Sequence, residues 1–362
     1  MKQENGQNFL ENSNLQKPPT NNEIELVVFG RGYGECIMLK YSDSDYMVID
    51  SFINPDTKNP IAIDYLNALN IQAENIRKVV VTHWHGDHIA GISDIIKQSS
   101  KDVKIIINPI IKNDKFFDFI SLSEKQKKES TKEFIKVFDY INDNGAKSVQ
   151  YALNDRLLYE KDNIGIKALS PQDSEVWNYI SDLNNKLFDS GVGYDIPDNN
   201  ELSIALLLKY QEKGILLGSD LENGKNPNTC WKGIVDNYTD VKSDIFKIPH
   251  HGSVNAHNKD VWDAMLDSFP ISILTTFNKS TKLPTEEDIK RILNLSRELY
   301  VVGAAAKRNK EIERLAKKII TDISITVIPQ TIGMVRYRYN LLTKQSKLES
   351  FGEVSQYINR CT

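Results

Sequence analysis

Three of the chain's six histidines and a carboxylate fall together in Thr82-His83-Trp84-His85-Gly86-Asp87-His88, directly after the apolar run Val79-Val80-Val81. His83 and His85 are two residues apart, so in extended chain their side chains leave on the same side. Gly86 allows the chain to turn from a strand toward a helix beginning near Ile89, with Asp87 and His88 on the turn. One pair can then hold one metal ion while Asp87 and His88 reach toward a second. Neutral imidazole and carboxylate form a donor set suited to Zn, Mn or Fe.

The other three histidines also cluster. Lys247-Ile248-Pro249-His250-His251-Gly252-Ser253 follows the apolar-rich run Asp244-Ile245-Phe246, and His257 comes shortly after. Between the two clusters, Gly214-Ile215-Leu216-Leu217 reads as a short buried strand that stops at Gly218 and presents Asp220 at its end. Three strand ends carrying His-x-His-x-Asp-His, Asp and His-His-Gly-Ser, in that order, are far more specific than any one of them alone. His257 lies too far beyond His251 to share its turn. Ser253 has no base–acid pair beside it and reads as structural.

Here the chain resembles the metallo-β-lactamase superfamily, and within it the hydrolase-domain branch of bacterial competence (DNA-uptake) proteins and their stand-alone relatives. Val27 to Ile37 is similar to that branch's glycine-rich opening turn, with Glu35 where an Asp is usual. Tyr46-Met47-Val48-Ile49-Asp50, Ala168-Leu169-Ser170-Pro171, Asn199-Asn200-Glu201-Leu202-Ser203-Ile204 and Gly218 to Glu222 look like further landmarks, so the likeness runs from about Glu23 to about Tyr339. It implies an α/β, metallo-β-lactamase-like αββα sandwich of two facing β-sheets with outer helices. It also implies two divalent metal ions, Zn or Mn. His83 and His85 would bind the first, Asp87, His88 and His251 the second, and Asp220 would bridge them. Asp87 would also orient the attacking water. His250 is the ambiguous neighbour of His251: either could be the ligand, with His251 preferred, and His250 could instead donate a proton to the leaving group.

The likeness carries two departures. No histidine lies between His88 and His250, so the third histidine that many members supply to the first ion is missing. Where relatives have a His-Pro, this chain has Leu283-Pro284-Thr285, leaving Lys282 or Thr285 to take over substrate contact.

Apart from the resemblance, the alternation of strand and helix patterns gives only the α/β class: strands near Glu23–Phe29, Cys36–Tyr41, Tyr46–Asp50, Lys78–Thr82 and Val103–Ile107, with helices over Ile61–Asn70 and Ile89 to about Lys97. The expected organisation is a disordered polar tail over 1–22, a hydrolase domain over 23–340 and a C-terminal extension over 341–362. Helical insertions are expected at about 112–150, with Phe134, Phe138 and Ile141 on one face, and at about 174–198. Lys307 to Lys318 reads as an amphipathic helix with a basic face.

The 40% hydrophobic content supports a substantial core, and no apolar stretch nears a membrane span. An odd count of three scattered cysteines fits a reducing cytoplasm, and a net charge of −4 argues against a generally basic surface. The expected function is a metal-dependent phosphodiesterase or nuclease acting on nucleic acid or a small-molecule phosphoester. The alternative is a hydrolase of a small-molecule ester, phosphoester, lactone or amide. A catalytically idle interaction module fits least well, because the ligand set is intact. A protein partner or a homo-oligomer is compatible with the chain, and no membrane association is expected.

Overall fold

The computed structural model describes residues 10, 12–113, 116, 129–188, 200–226, 228–279, 282–303 and 332–359. The first half comprises β1 (Glu23–Gly30), β2 (Glu35–Lys40), β3 (Tyr46–Ile49), α1 (Ile61–Ala68), β4 (Ile76–Val80), α2 (Gly86–Ile89), α3 (Ile92–Gln98), β5 (Lys104–Ile107), α4 (Glu129–Asn144) and β6 (Val149–Tyr151). The second comprises β7 (Arg156–Lys161), β8 (Ile164–Ala168), α5 (Asp173–Phe188), β9 (Leu206–Tyr210), β10 (Lys213–Leu217), α6 (Cys230–Asp236) and β11 (Ser243–Lys247). It continues with α7 (Lys259–Ala264), β12 (Leu266–Thr275), α8 (Glu286–Leu293), β13 (Glu298–Val302), β14 (Gly333–Asn340), β15 (Ser346–Gly352) and β16 (Val354–Ile358).

These strands build two eight-stranded sheets, ordered β15-β14-β1-β2-β3-β4-β5-β6 and β16-β13-β12-β11-β10-β9-β8-β7. Side-chain alternation explains how they stack. In β1, Leu26 and Val28 enter the core between the sheets, while Val27 and Phe29 enter a second core beneath the outer helices. In β10 and β11, Ile215, Leu217 and Ile245 face inward, while Leu216 and Phe246 face a third core under α6 to α8. Strands covered on both faces must be apolar nearly throughout, which is why they read as continuous hydrophobic runs. The result is the expected α/β sandwich with helices outside.

The parallel strands matter most for function. β3, β4 and β5 run parallel in one sheet, and β10, β11, β12 and β13 in the other. Asp50, the Thr82–His88 loop, Asp220 and His250-His251 all follow the carboxyl ends of such strands, where open α/β sheets place their ligands. The sheets approach closely at this end. A Cβ on Gly30 would sit 2.8 Å from the carbonyl of Val302, so the close crossing requires glycine.

Several expectations change in detail. The signature enters its helix at Gly86 rather than Ile89, so Asp87 and His88 are helical. Gly91, at φ +79°, then breaks the chain before α3 begins at Ile92. The 112–150 segment contains α4, whose Phe134, Phe138 and Ile141 pack on the core, and Gly145 ends it with an N–H···O bond to Ile141. Asn200–Leu202 form a 3-10 turn, and β9 begins beyond it at Leu206.

The polar N-terminal segment docks where it is described. Leu15 is fully buried, and the buried Arg336 guanidinium donates to the carbonyls of Asn14 and Leu15. The segment after residue 340 supplies β15 and β16, which pair with β14 and β13 at an edge of each sheet. The basic stretch Lys307–Lys318, Gly191-Val192-Gly193, Asn199 and Cys361 lie outside the described residues. Among the described residues, no helix is long and apolar enough to cross a membrane.

Candidate metal centre

The site is built from imidazoles whose two nitrogens have different duties. His88 places Nδ1 2.7 Å from Oδ2 of Asp50, which as a carboxylate accepts, so Nδ1 carries the proton. Asp50 also accepts from the Thr82 backbone N–H at 2.9 Å and the Thr82 hydroxyl at 2.7 Å. With its proton given to Asp50, Thr82 Oγ1 accepts from Nδ1 of His83 at 3.0 Å. His251 Nδ1 lies 3.2 Å from the carbonyl oxygen of Thr275 and 3.1 Å from its hydroxyl, so it too must be the donor. All three rings therefore turn Nε2 toward one small volume.

Asp220 occupies the middle of that volume. Its Oδ2 lies 3.3 Å from Nε2 of His88, 3.7 Å from Nε2 of His251 and 3.8 Å from Nε2 of His83. Asp87 Oδ2 lies 3.6 Å from His251 Nε2 and 3.7 Å from His88 Nε2. His83, His88, Asp220 and His251 are buried, and the Nε2 atoms of the three histidines and Oδ1 of Asp220 lack a protein hydrogen-bond partner of good geometry. Leaving one such group unpaired costs about 1–3 kcal/mol. Four orphaned polar atoms around one point fit a bound cation, which would displace the His88 proton and satisfy them together.

The electrostatics have the same origin. Burial disfavours a charged His88, but Asp220, Asp87 and Asp50 outweigh it and raise its pKa well above the usual imidazole range. His83 is driven the other way, by burial and by its neighbours His88 and His85. Burial opposes ionisation of Asp220 and Asp87 as well, yet His88 and His251 hold both below the usual carboxylate range.

His85 is half-buried, with its ring 4.7 Å from that of His83. His250 and His251 have positive φ of 45° and 53°, and their ring centroids are 6.2 Å apart. His251 faces the cluster, while His250 binds Glu222 Oε1 at 3.1 Å and Asn255 Oδ1 at 3.1 Å. Burial works against a charged His250, but the Glu222 carboxylate prevails and raises its pKa. Asn200 donates to the same Glu222 oxygen at 2.9 Å and so helps hold the carboxylate that pairs with His250. Trp84 packs in the core against Phe134 of α4. His257 lies away from the cluster beside Trp262.

Sequence reasoning singled out the inward-facing residues but not those behind them. Asp50 was visible only as the last residue of a strand motif. Thr82, Thr275, Lys247 and Glu222 carry no local signal, because each acts through a contact with a distant segment. Thr285 is engaged elsewhere: its hydroxyl and backbone form a capping box with Asp288 at the start of α8.

The sequence model of the metallo-beta-lactamase superfamily matches residues 29–135. Solved structures to which the chain is similar include SMB-1 metallo-beta-lactamase bound to 2-mercaptoethanesulfonate, 12% identical, covering 65% of this chain and 82% of that one at a TM-score of 0.35. Another is MEM-A1, a subclass B3 metallo-beta-lactamase from a soil metagenome library, 11% identical with 70% and 90% covered at a TM-score of 0.34. A HARLDQ-motif mutant metallo-beta-lactamase of Cronobacter sakazakii is 12% identical, with 61% and 75% covered at a TM-score of 0.34. The matched residues 29–135 contain the whole Thr82–His88 signature.

Proposed function

We propose that this chain is a two-metal hydrolase of the competence-type branch that cleaves phosphodiesters, with nucleic acid as the substrate class. The observation that carries the metal reading is the convergence of the Nε2 atoms of His83, His88 and His251 on Asp220, whose own Oδ1 is orphaned. His83 and His85 would hold the first ion, Asp87, His88 and His251 the second, and Asp220 would serve both. Zn or Mn suits this set of imidazoles and carboxylates. When bound, such a pair supplies an acidified water and stabilises charge on the substrate oxygens.

The residues of the chain do the remaining work. Asp87 accepts a hydrogen bond from the attacking water and so orients it. His250, kept protonated by Glu222, donates its proton to the departing oxygen. The rim supports an anionic substrate. Phe277 lies 5.3 Å from His251, Tyr33 lies 5.7 Å from Phe277, and the Lys279 ammonium sits 3.1 Å from the Tyr33 hydroxyl. That hydroxyl abuts Gly86, between His85 and Asp87. An aromatic wall carrying an exposed cation suits a phosphate flanked by a planar base.

The test is cleavage of end-labelled single- and double-stranded DNA and RNA with Mn, Zn or Mg added, beside Asp87→Ala and Asp220→Asn. Metal-dependent cutting that both substitutions abolish is the expected result. A metal-loaded protein that cuts none of these polymers would sink the nuclease reading and favour a small-molecule ester or lactone.

A further inference from the structure

Lys247 and Glu35 form an ion pair of 2.6 Å between the two sheets, with both side chains at most 1% exposed. Lys247 is the last residue of β11 and Glu35 the first of β2, so the pair closes the sandwich at the end that holds the site. A buried ion pair is a poor source of stability, because desolvation offsets much of the Coulombic gain. Its placement suggests another purpose.

Two paths run from the pair to the cluster. Glu35 Oε2 accepts from the Thr275 hydroxyl, and Thr275 in turn accepts from Nδ1 of His251 through both its oxygens. Lys247 donates to the carbonyl of Ser219 at 3.3 Å. Ser219 has φ +48° and immediately precedes Asp220, and its carbonyl also accepts from the His250 backbone N–H at 3.0 Å. One ion pair thus contacts both the support of His251 and the turn that presents Asp220.

We infer that Glu35, Lys247 and Thr275 form a positioning relay that fixes the Nδ1–H tautomer of His251 and the placement of Asp220, and thereby sets how tightly the second metal site binds. The inference rests on the metal reading above. Glu35 and Lys247 are positioning residues, not catalytic ones: neither reaches the reacting atoms.

The experiment uses the full chain, stripped with chelator and titrated with Co(II), reading both affinity and the visible ligand-field absorption. Thr275→Val removes the hydroxyl and keeps the size, Thr275→Ser restores the hydroxyl, and the double variant Glu35→Leu/Lys247→Met removes both charges together. Expected is a loss of affinity at one of two sites of about 10–100-fold for Thr275→Val, with an altered absorption band. The double variant should lose affinity similarly, and Thr275→Ser should recover both readouts. A Thr275→Val protein or a folded double variant that binds Co(II) with the wild-type affinity and band would overturn the relay alone. A wild-type chain that binds no Co(II) would overturn the metal reading and the relay with it.

Discussion

His88 Nδ1 and Asp50 Oδ2 meet at 2.7 Å in a fully buried contact between the signature helix and the end of β3. That bond leaves Nε2 of His88 as the only nitrogen free for a cation, and it raises the basicity of the ring that would bind one. Asp50→Asn should therefore weaken Zn or Co(II) binding by about 10–100-fold without removing any residue that faces the site. Chelator competition measures this, with circular dichroism as the control for folding. Unchanged affinity would remove Asp50 from the account.

Metal uptake should release a proton from His88. Asp220, Asp87 and Asp50 raise its pKa despite burial, so the metal-free protein holds that proton at neutral pH, whereas His83 is already neutral. A cation must displace the proton, so affinity should rise with pH until the raised pKa of His88 is passed. Calorimetry of Zn binding in buffers of different ionisation enthalpy counts the protons. A count of zero at neutral pH would contradict the assignment.

His257 gives the folded protein a weakness in acid. Burial and the nearby Arg291 lower its pKa to about 4, against an ordinary value near 6.5. The neutral form is favoured in the folded state, so the contribution is present above pH 6.5 and lost as pH falls toward 4. His257→Gln should flatten the fall in Tm across that window. An unchanged slope would mean that His257 titrates alike in the folded and unfolded chains.

Thr285 should matter to stability rather than to substrate. Its hydroxyl accepts from the Asp288 N–H at 3.2 Å and donates to the Asp288 carboxylate at 2.8 Å. Thr285→Ala should cost about 1 kcal/mol, as lost helix caps typically do, and leave KM unchanged. Chemical denaturation beside steady-state kinetics separates the two. A raised KM with intact stability would return Thr285 to the substrate site.

Lys279 is the rim residue whose loss should be felt by an anionic substrate. Its ammonium lies 4.4 Å above the Tyr33 ring and is exposed, so Lys279→Ala should not affect folding. For a nucleic acid substrate, KM should rise several-fold, and the slope of log binding constant against log salt should shrink by about 1. Titrations at several salt concentrations check this, and an unaltered slope would place phosphate elsewhere.

Much of this protein is written locally. Runs such as Leu26-Val27-Val28-Phe29 and Ile215-Leu216-Leu217 are apolar because both faces of a strand are covered, and that pattern needs no knowledge of what covers them. His83, His85, Asp87 and His88 advertise their chemistry by type and spacing within one turn of chain. What lies behind them could not be read this way. Asp50 meets His88 across 38 positions and Thr275 meets Glu35 across 240, and no periodicity links residues so far apart. The same limit left His250 and His251 ambiguous, since neighbours of one type are equivalent until Thr275 takes one and Glu222 the other. Likewise, the polar segment near Leu15 looked featureless until Arg336, on a strand from the opposite end of the chain, required its carbonyls. Residue type and spacing determine which groups can bind; hydrogen bonds between distant strands decide which nitrogen each ring presents.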